Sequence, residues 1–323
     1  MTYEWVPGAD ALALARRGHL LRTIREFFHQ RGVLEVSTPV LGATGVSDVH
    51  IENIGVPLSL GHRYLQTSPE YLMKRLLAAG AGAIYQLGPA FRGAESGDRH
   101  NTEFTLLEWY RPGFDLPDLA EEVEALLTTV FEAFDRNEPP CRQARYKDLF
   151  MARWGVDPHR ASLDELRELA GPLASDHIAQ VDDTGTQNDY LDLLFSAGVE
   201  TDLRDPVLIF EYPASQAALA STGTDGDGDA VALRFECLWQ GVELANGYYE
   251  LRDADELRQR MQINNALRRA RGLPEIPPDE KLLAALPNMP SCSGVALGVD
   301  RLLMLLMDRH SLDEVLPFAD RRL

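Results

Sequence analysis

The chain has 323 residues, 45% of them hydrophobic and 25% charged, enough for one large core or a core with a modest insertion. No stretch approaches the roughly 18 consecutive apolar residues of a membrane span. The 50 acidic residues against 31 basic ones give a net charge of −19, with no run of four or more Lys/Arg, which argues against a chain that grips nucleic acid over a broad surface. Solubility or a salt-adapted host accounts for the acidity equally well. The start, Met1 to Trp5, is polar and acidic and carries no basic-then-apolar leader, so a cytoplasmic location is expected. Cys141, Cys237 and Cys292 are widely spaced and form no CxxC pair, the pattern of reduced, buried thiols.

In chain order, Leu14, Leu20, Leu21, Ile24, Phe27 and Phe28 recur at helical spacing and predict a helix over 10–31, stopped by Gly32. A strand over 33–36 is closed by Thr38-Pro39. A short helix over 70–79 ends at Gly80, and strands over 84–91 and 104–110 flank a polar loop from Arg92 to Thr102. An acidic amphipathic helix covers 115–135. The less regular stretch from about 139 to 200, with helical pieces near 162–170 and 187–197, reads as an insertion into a single catalytic domain. Strands over 207–212, 231–239 and 241–250, helices near 254–271 and 279–285, a strand over 294–299 and a final helix complete the chain. Hairpin-like and inserted connections predict an α+β fold with a mostly antiparallel sheet flanked by helices.

There is no GxxxxGK[ST] loop, no GxGxxG and no HExxH, so nucleotide chemistry here does not use a phosphate loop. Three constellations stand out instead. In the hairpin Phe91 to Tyr110, alternation puts Phe104, Leu106, Glu108 and Tyr110 on one face, a combination suited to a ligand floor. Arg92 at the loop start is placed to neutralise a phosphate. In Gly241 to Glu250, Glu243 and Glu250 are seven residues apart, on opposite faces of a regular strand; a bulge at Asn246-Gly247 would bring them to one side. Two converging carboxylates suit Mg²⁺ on phosphates. In Ser293 to Leu305, a strand of small residues runs into a helix whose first turn carries Arg301, a favourable place for an anion. Taken singly, each also fits an ordinary element: an amphipathic hairpin, two glutamates beside a turn, a buried strand–helix unit.

Together, in order and type, they resemble the signature motifs of class II aminoacyl-tRNA synthetases over about residues 15–320. The helix and strand ending at Pro39 resemble motif 1, the dimer element; the Arg92 hairpin resembles motif 2; Gly298 and Arg301 belong to a motif 3-like segment. Thr67-Ser68-Pro69-Glu70, Arg99-His100-Asn101 and Glu243-Leu244-Ala245-Asn246-Gly247 look like the lysine-specific members. Two departures point to a subfamily. Motif 1 begins within the first few dozen residues, where a lysyl-tRNA synthetase has an anticodon-binding barrel. Ala296 stands where the lysyl enzymes have the middle glycine of motif 3. Both features are similar to the elongation factor P–(R)-β-lysine ligases. Ala94 replaces a motif 2 glutamate, leaving Glu95 to take over its adenine contact.

The resemblance implies ATP-dependent activation of (R)-β-lysine as an adenylate and its transfer to a lysine ε-amine of elongation factor P by a homodimer with no stable tRNA binding. It implies Arg92 and Arg301 as catalytic cations. It assigns ATP to Arg92, Gly93, Ala94, Glu95, Asn101, Phe104, Glu243, Leu244, Gly298 and Arg301. The amino acid falls to Ser68, Pro69, Glu70, Tyr110, Glu250 and Ala296, and Mg²⁺ to Glu243 and Glu250. A lysine-activating ligase with another acceptor, such as tRNA or a small amine, and a non-catalytic paralogue that binds ATP or amino acid are the alternatives. Asp225, Asp227, Asp229 and Glu236 match part of a calcium-loop template, but Ala230 replaces its glycine, so a flexible acidic loop is expected.

Overall fold

Asp10 caps the first helix, Ala11–Gln30, by accepting the Ala13 amide at 2.7 Å, and Gly32, at φ +64°, lets the chain leave it. The computed structural model describes residues 5–59, 61–93, 97–175 and 185–323, excluding the side chains of 174 and 175. It divides into two compact units, one of residues 1–137 with 252–323, the other of residues 138–251.

In the first unit, the strand Leu34–Glu35 lies parallel to Ile84–Phe91, which pairs antiparallel with Glu103–Pro112, which in turn pairs antiparallel with Cys292–Gly298. Odd positions of Glu103–Pro112 face the helices. Trp109 meets Phe28 edge-on with ring centroids 5.2 Å apart, and Phe28 stacks on Tyr85 at 4.5 Å. Phe27, Phe28, Leu107, Trp109, Leu126 and Leu302 are all buried, so this side of the sheet is the core. Helix Leu116–Ala133 starts on a capping box between Asp115 and Asp118. A separate three-stranded sheet, Leu41–Gly42, Gly61–Leu65 and Gly55–Leu58, was not legible in the sequence, because its strands are short and largely exposed. Helices Glu70–Ala78, Ala254–Ala270, Glu280–Ala285 and Val299–Leu306 complete the unit.

In the second unit, Arg142–Arg145 runs parallel to Val207–Phe210. Val207–Phe210 pairs antiparallel with Arg234–Trp239, and that strand with Val242–Tyr249. Gln240 and Gly241, both at positive φ, make the tight turn between the last two strands. Helices Tyr146–Trp154, Leu163–Ser175 and Gln187–Gly198 supply a core in which Tyr146 stacks on Phe195 at 4.3 Å. The stretch expected as a helical insertion thus also holds an unanticipated strand and helix. The strand predicted over 231–239 is two elements: Ala230–Ala232 pairs with Thr222–Thr224 in a small hairpin, and Arg234–Trp239 joins the larger ladder.

The acidic loop is tied down. Asp225 accepts the amides of Asp227 and Asp229 at 2.9 and 2.8 Å. Arg145 pairs with Asp225 and Asp227, and Asp229 takes Lys147 and Arg160, both at 2.8 Å. Its carboxylates are spent on cations, which corrects the expectation of a flexible loop. No helix among the described residues is long and apolar enough to cross a membrane.

Candidate active site

The open face of the first unit's sheet is built by register. Glu108 lies between Gln86 and Ala296, Leu106 between Gly88 and Gly298, and Tyr110 between Ile84 and Gly294. The even positions therefore share one face, as alternation predicts, and the Tyr110 hydroxyl donates to Glu108 Oε1 at 2.8 Å. Small residues flank this row. A Cβ built on Gly88 would meet nothing nearer than Gln86 Nε2 at 4.0 Å, and one on Gly298 nothing nearer than Arg301 Cδ at 3.7 Å. Packing among the described residues does not require glycine at either place. Within the otherwise buried run 292–299, Ala296 and Gly298 are only half-buried. Glu108, a carboxylate only 3% exposed, belongs to this floor, as its alternation with Phe104 and Tyr110 predicts, although the family resemblance assigns it no ligand.

At one end of the floor stand the cations. Arg92 leaves the ladder where its amide meets the Thr102 carbonyl at 3.0 Å, and its guanidinium carbon lies 5.2 Å from the centre of the Phe104 ring. Arg301, in the first turn of Val299–Leu306, donates through Nε to the Arg99 carbonyl at 3.2 Å and places Nη2 2.6 Å from His100 Nε2. The hairpin tip is held by the chain terminus: Asn101 Oδ1 accepts the Asp320 amide at 2.8 Å, and Asp320 Oδ2 accepts the Thr102 amide at 2.8 Å. Asn101 Nδ2 donates to the Glu103 carbonyl at 2.7 Å, so this amide shapes the loop. Gly93 gives its N–H to the Glu52 carbonyl at 2.9 Å, and a Cβ there would come within 2.9 Å of the Glu52 side chain. A larger residue at that position would have to push the exposed Glu52 side chain aside. Ala94 and Glu95 lie outside the described residues, and with them the question of which one meets adenine.

The segment 67–70 enters the helix Glu70–Ala78. Ser68 Oγ accepts the Glu70 amide at 3.2 Å beside Pro69, which ends the loop. Glu70 Oε1 takes the buried Lys74 Nζ at 2.7 Å. Burial, and then the neighbouring Glu70 carboxylate, hold the Tyr71 phenol well above its ordinary range.

In the second unit Glu243 changes face by a different irregularity from the one expected. Asn246 and Gly247 stay in the ladder, opposite Glu236 and Phe235; the register breaks between Cys237 and Leu238, leaving Leu244 as the extra residue. Gly247 is there because a Cβ would come within 2.5 Å of the Phe235 ring. Glu243 pairs with Leu238, and Asn246 with Glu236, two residues away on the same strand, so the bulge turns Glu243 to the face of Asn246 and Tyr248. Glu250, 2% exposed, follows at the next alternate position after Tyr248. Glu236 joins this face. It takes Arg234, the Tyr212 hydroxyl at 2.7 Å and the Asn246 amide at 3.2 Å. Burial pushes its carboxyl up to about 7, Arg234 opposes that, and the like charge of Glu243 adds to it. The sequence reading had placed Glu236 only in the calcium-loop template; its position opposite Asn246 in a hairpin was the signal missed. Glu243, Asn246 and Glu236 on one face offer the side-chain oxygens that a hard divalent cation takes as ligands.

The described geometry combines cations at a strand end and a helix start, an aromatic floor with small neighbours and no phosphate loop. The model of class II tRNA synthetases (D, K and N) matches residues 10–322. The chain belongs to this family. The fold read from the sequence, α+β with an antiparallel-dominated sheet flanked by helices, is the family's. Among its relatives, a protein of Edwardsiella ictaluri (strain 93-146) named elongation factor P–(R)-beta-lysine ligase is 47% identical over 98% of this chain and 97% of its own length. Proteins of the same name from Salmonella typhi and Salmonella agona (strain SL483) are 44% identical, covering 98% of both partners.

Proposed function

We propose that this protein activates (R)-β-lysine with ATP and transfers it to a lysine ε-amine of elongation factor P, in the cytoplasm. What carries the reading is one strand. Glu103–Pro112 bears Phe104 next to Arg92 at one end and the hydrogen-bonded Glu108–Tyr110 pair at the other, with Ala296 directly across from Glu108. Cations for phosphate, a ring for adenine and acidic or phenolic groups for ammonium are the parts an amino-acid adenylation site needs. The kinship with the β-lysine ligases names the amino acid and the acceptor.

In the first step the amino-acid carboxylate, already ionised at neutral pH, attacks the α-phosphorus; the bond to the β-phosphate bridging oxygen breaks and pyrophosphate leaves with its electron pair. No general base is needed, only in-line positioning and charge neutralisation. Arg92 neutralises the α-phosphate and Arg301 the distal phosphates. Phe104 stacks on adenine, and Gly298 leaves room for the nucleotide. Ser68, Glu70, Tyr110 and Glu250 hold the amino acid and its ammonium groups, and Ala296 limits the space beside them. Glu243 and Glu250 would hold Mg²⁺, which, when bound, offsets phosphate charge. In the second step the acceptor amine, once deprotonated, attacks the acyl carbon; the acyl–phosphate bond breaks and AMP departs.

A homodimer through helix Ala11–Gln30 and the strand after it belongs to this proposal. Leu12, Leu14 and Leu34 are 58, 42 and 57% exposed, an apolar surface that a second copy would cover. With a net charge of −19, the chain is not expected to charge tRNA. ATP–pyrophosphate exchange tests the activation step. Exchange driven by (R)-β-lysine in preference to L-α-lysine is the expected result; exchange with neither isomer would sink the proposal.

A further inference from the structure

Asp300 precedes Arg301 in the first turn of Val299–Leu306 and is 2% exposed. Both of its oxygens are engaged. Oδ2 accepts the Thr105 amide at 2.6 Å, and Oδ1 accepts Arg17 Nη1 at 2.5 Å. The same guanidinium reaches Thr105 Oγ1 through Nη2 at 2.6 Å. Arg17 lies on the first helix, and its side chain is 17% exposed. One carboxylate and one forked cation thus tie three elements at one point. The residues next to the tie are those that handle the nucleotide: Phe104 precedes Thr105, and Arg301 follows Asp300.

We infer that the Arg17–Asp300 pair positions Arg301 on the triphosphate, setting its distance from the adenine floor at Phe104. The inference rests on the proposed phosphate role of Arg301. The physical case is geometric. Arg301 also meets the Arg99 carbonyl and the His100 imidazole at the exposed hairpin tip. That tip is a loop, whereas Asp300 is clamped to the middle of a sheet, so the buried pair is the rigid reference for the guanidinium. A buried carboxylate without its cation would tend to neutralise or to draw in water, and either response loosens the helix start. The forked geometry matters as well as the charge: lysine could replace the ion pair but could not also hold Thr105 Oγ1.

The test uses the full chain in ATP–pyrophosphate exchange, with the KM for ATP and for (R)-β-lysine measured separately and thermal unfolding alongside. Arg17→Met should raise the KM for ATP about tenfold or more, as a misplaced phosphate contact does, and leave the KM for the amino acid within about twofold. Arg17→Lys should recover thermal stability but only part of the ATP affinity. Joining Arg17→Met to Arg301→Ala should worsen the KM for ATP no further than Arg301→Ala alone, because the first residue acts through the second. Additive losses, or an Arg17→Lys variant with wild-type ATP affinity, would reduce the pair to a structural clamp and overturn the inference. An Arg301→Ala variant with unchanged KM for ATP would instead remove the phosphate role on which the inference stands. If Arg17→Met does not fold, Arg17→Lys and its combination with Arg301→Ala decide the matter by the same criteria.

Discussion

The two units handle charge in opposite ways. The first sets its cations at the ends of elements: Arg92 where a strand meets a loop, Arg301 in a first helical turn, each half-buried. The second sets its anions within or just beyond a ladder, where Glu236 and Glu250 are 9 and 2% exposed and a one-residue bulge turns Glu243 to the face of Asn246, opposite Glu236. A guanidinium stays charged almost anywhere, so it can wait at an edge for a phosphate. A carboxylate buried near others keeps its charge best with a cation beside it, as Glu236 has in Arg234. The lesson is that the first unit holds these charges at the accessible ends of elements, and the second inside a hydrogen-bonded network.

Removing a cation should break this contrast most severely. Arg92→Ala and Arg301→Ala are each expected to slow adenylate formation by about two orders of magnitude or more, read by exchange at saturating amino acid. Rates near wild type in both would place the phosphate site elsewhere. On the acidic side, Glu243→Gln should raise the Mg²⁺ concentration for half-maximal exchange by roughly one to two orders of magnitude. An unshifted Mg²⁺ titration would detach Glu243 from the metal.

A smaller effect concerns the floor of the first unit. Ala296 faces Glu108 across the ladder, and one methyl group is worth about 1–3 kcal/mol of discrimination. Ala296→Gly should therefore move the ratio of kcat/KM for (R)-β-lysine over L-α-lysine toward the α isomer by roughly tenfold or more, with the KM for ATP nearly constant. An unchanged ratio would make Ala296 simple packing and shift attention to Glu70 and Tyr110.

The smallest expected change is in stability against pH. Burial chiefly, offset by Arg234 and reinforced by Glu243, raises the Glu236 carboxyl to about 7 in the folded protein. The unfolded chain releases that proton near its ordinary value of about 4.3, so between these values the folded state binds more protons. Stability from this group is full below about pH 4 and declines as pH rises through about 7. Glu236→Gln should flatten that decline in Tm between about pH 5 and 8, in metal-free buffer. Identical slopes for the two proteins would show that the carboxyl ionises freely.

What was legible follows the same division. The first helix, the hairpin and the final strand–helix unit were readable because each has a strong period, a capping residue or a glycine stop. The shared face of Glu108 and Tyr110 followed from alternation alone. An irregularity between Glu243 and Glu250 was anticipated, but not its place. Asn246-Gly247 is a strong turn signal locally, yet here the glycine serves the Phe235 ring and Leu244 takes the bulge, a choice made by packing on the facing strand. Nor could sequence show that Asp225, Asp227 and Asp229 would find Arg145, Lys147 and Arg160, since those partners come from segments up to 82 residues away.

The central claim is that this site makes a β-lysyl adenylate for a protein acceptor. It is met most directly by incubating the purified chain with ATP, Mg²⁺, (R)-β-lysine and unmodified elongation factor P, with tRNA as a competing acceptor, and weighing the products by mass spectrometry. The account predicts that elongation factor P gains one lysyl-sized group on a single lysine while tRNA stays uncharged. Charging of tRNA at a comparable rate, or an elongation factor P that remains unmodified while exchange proceeds, would contradict it.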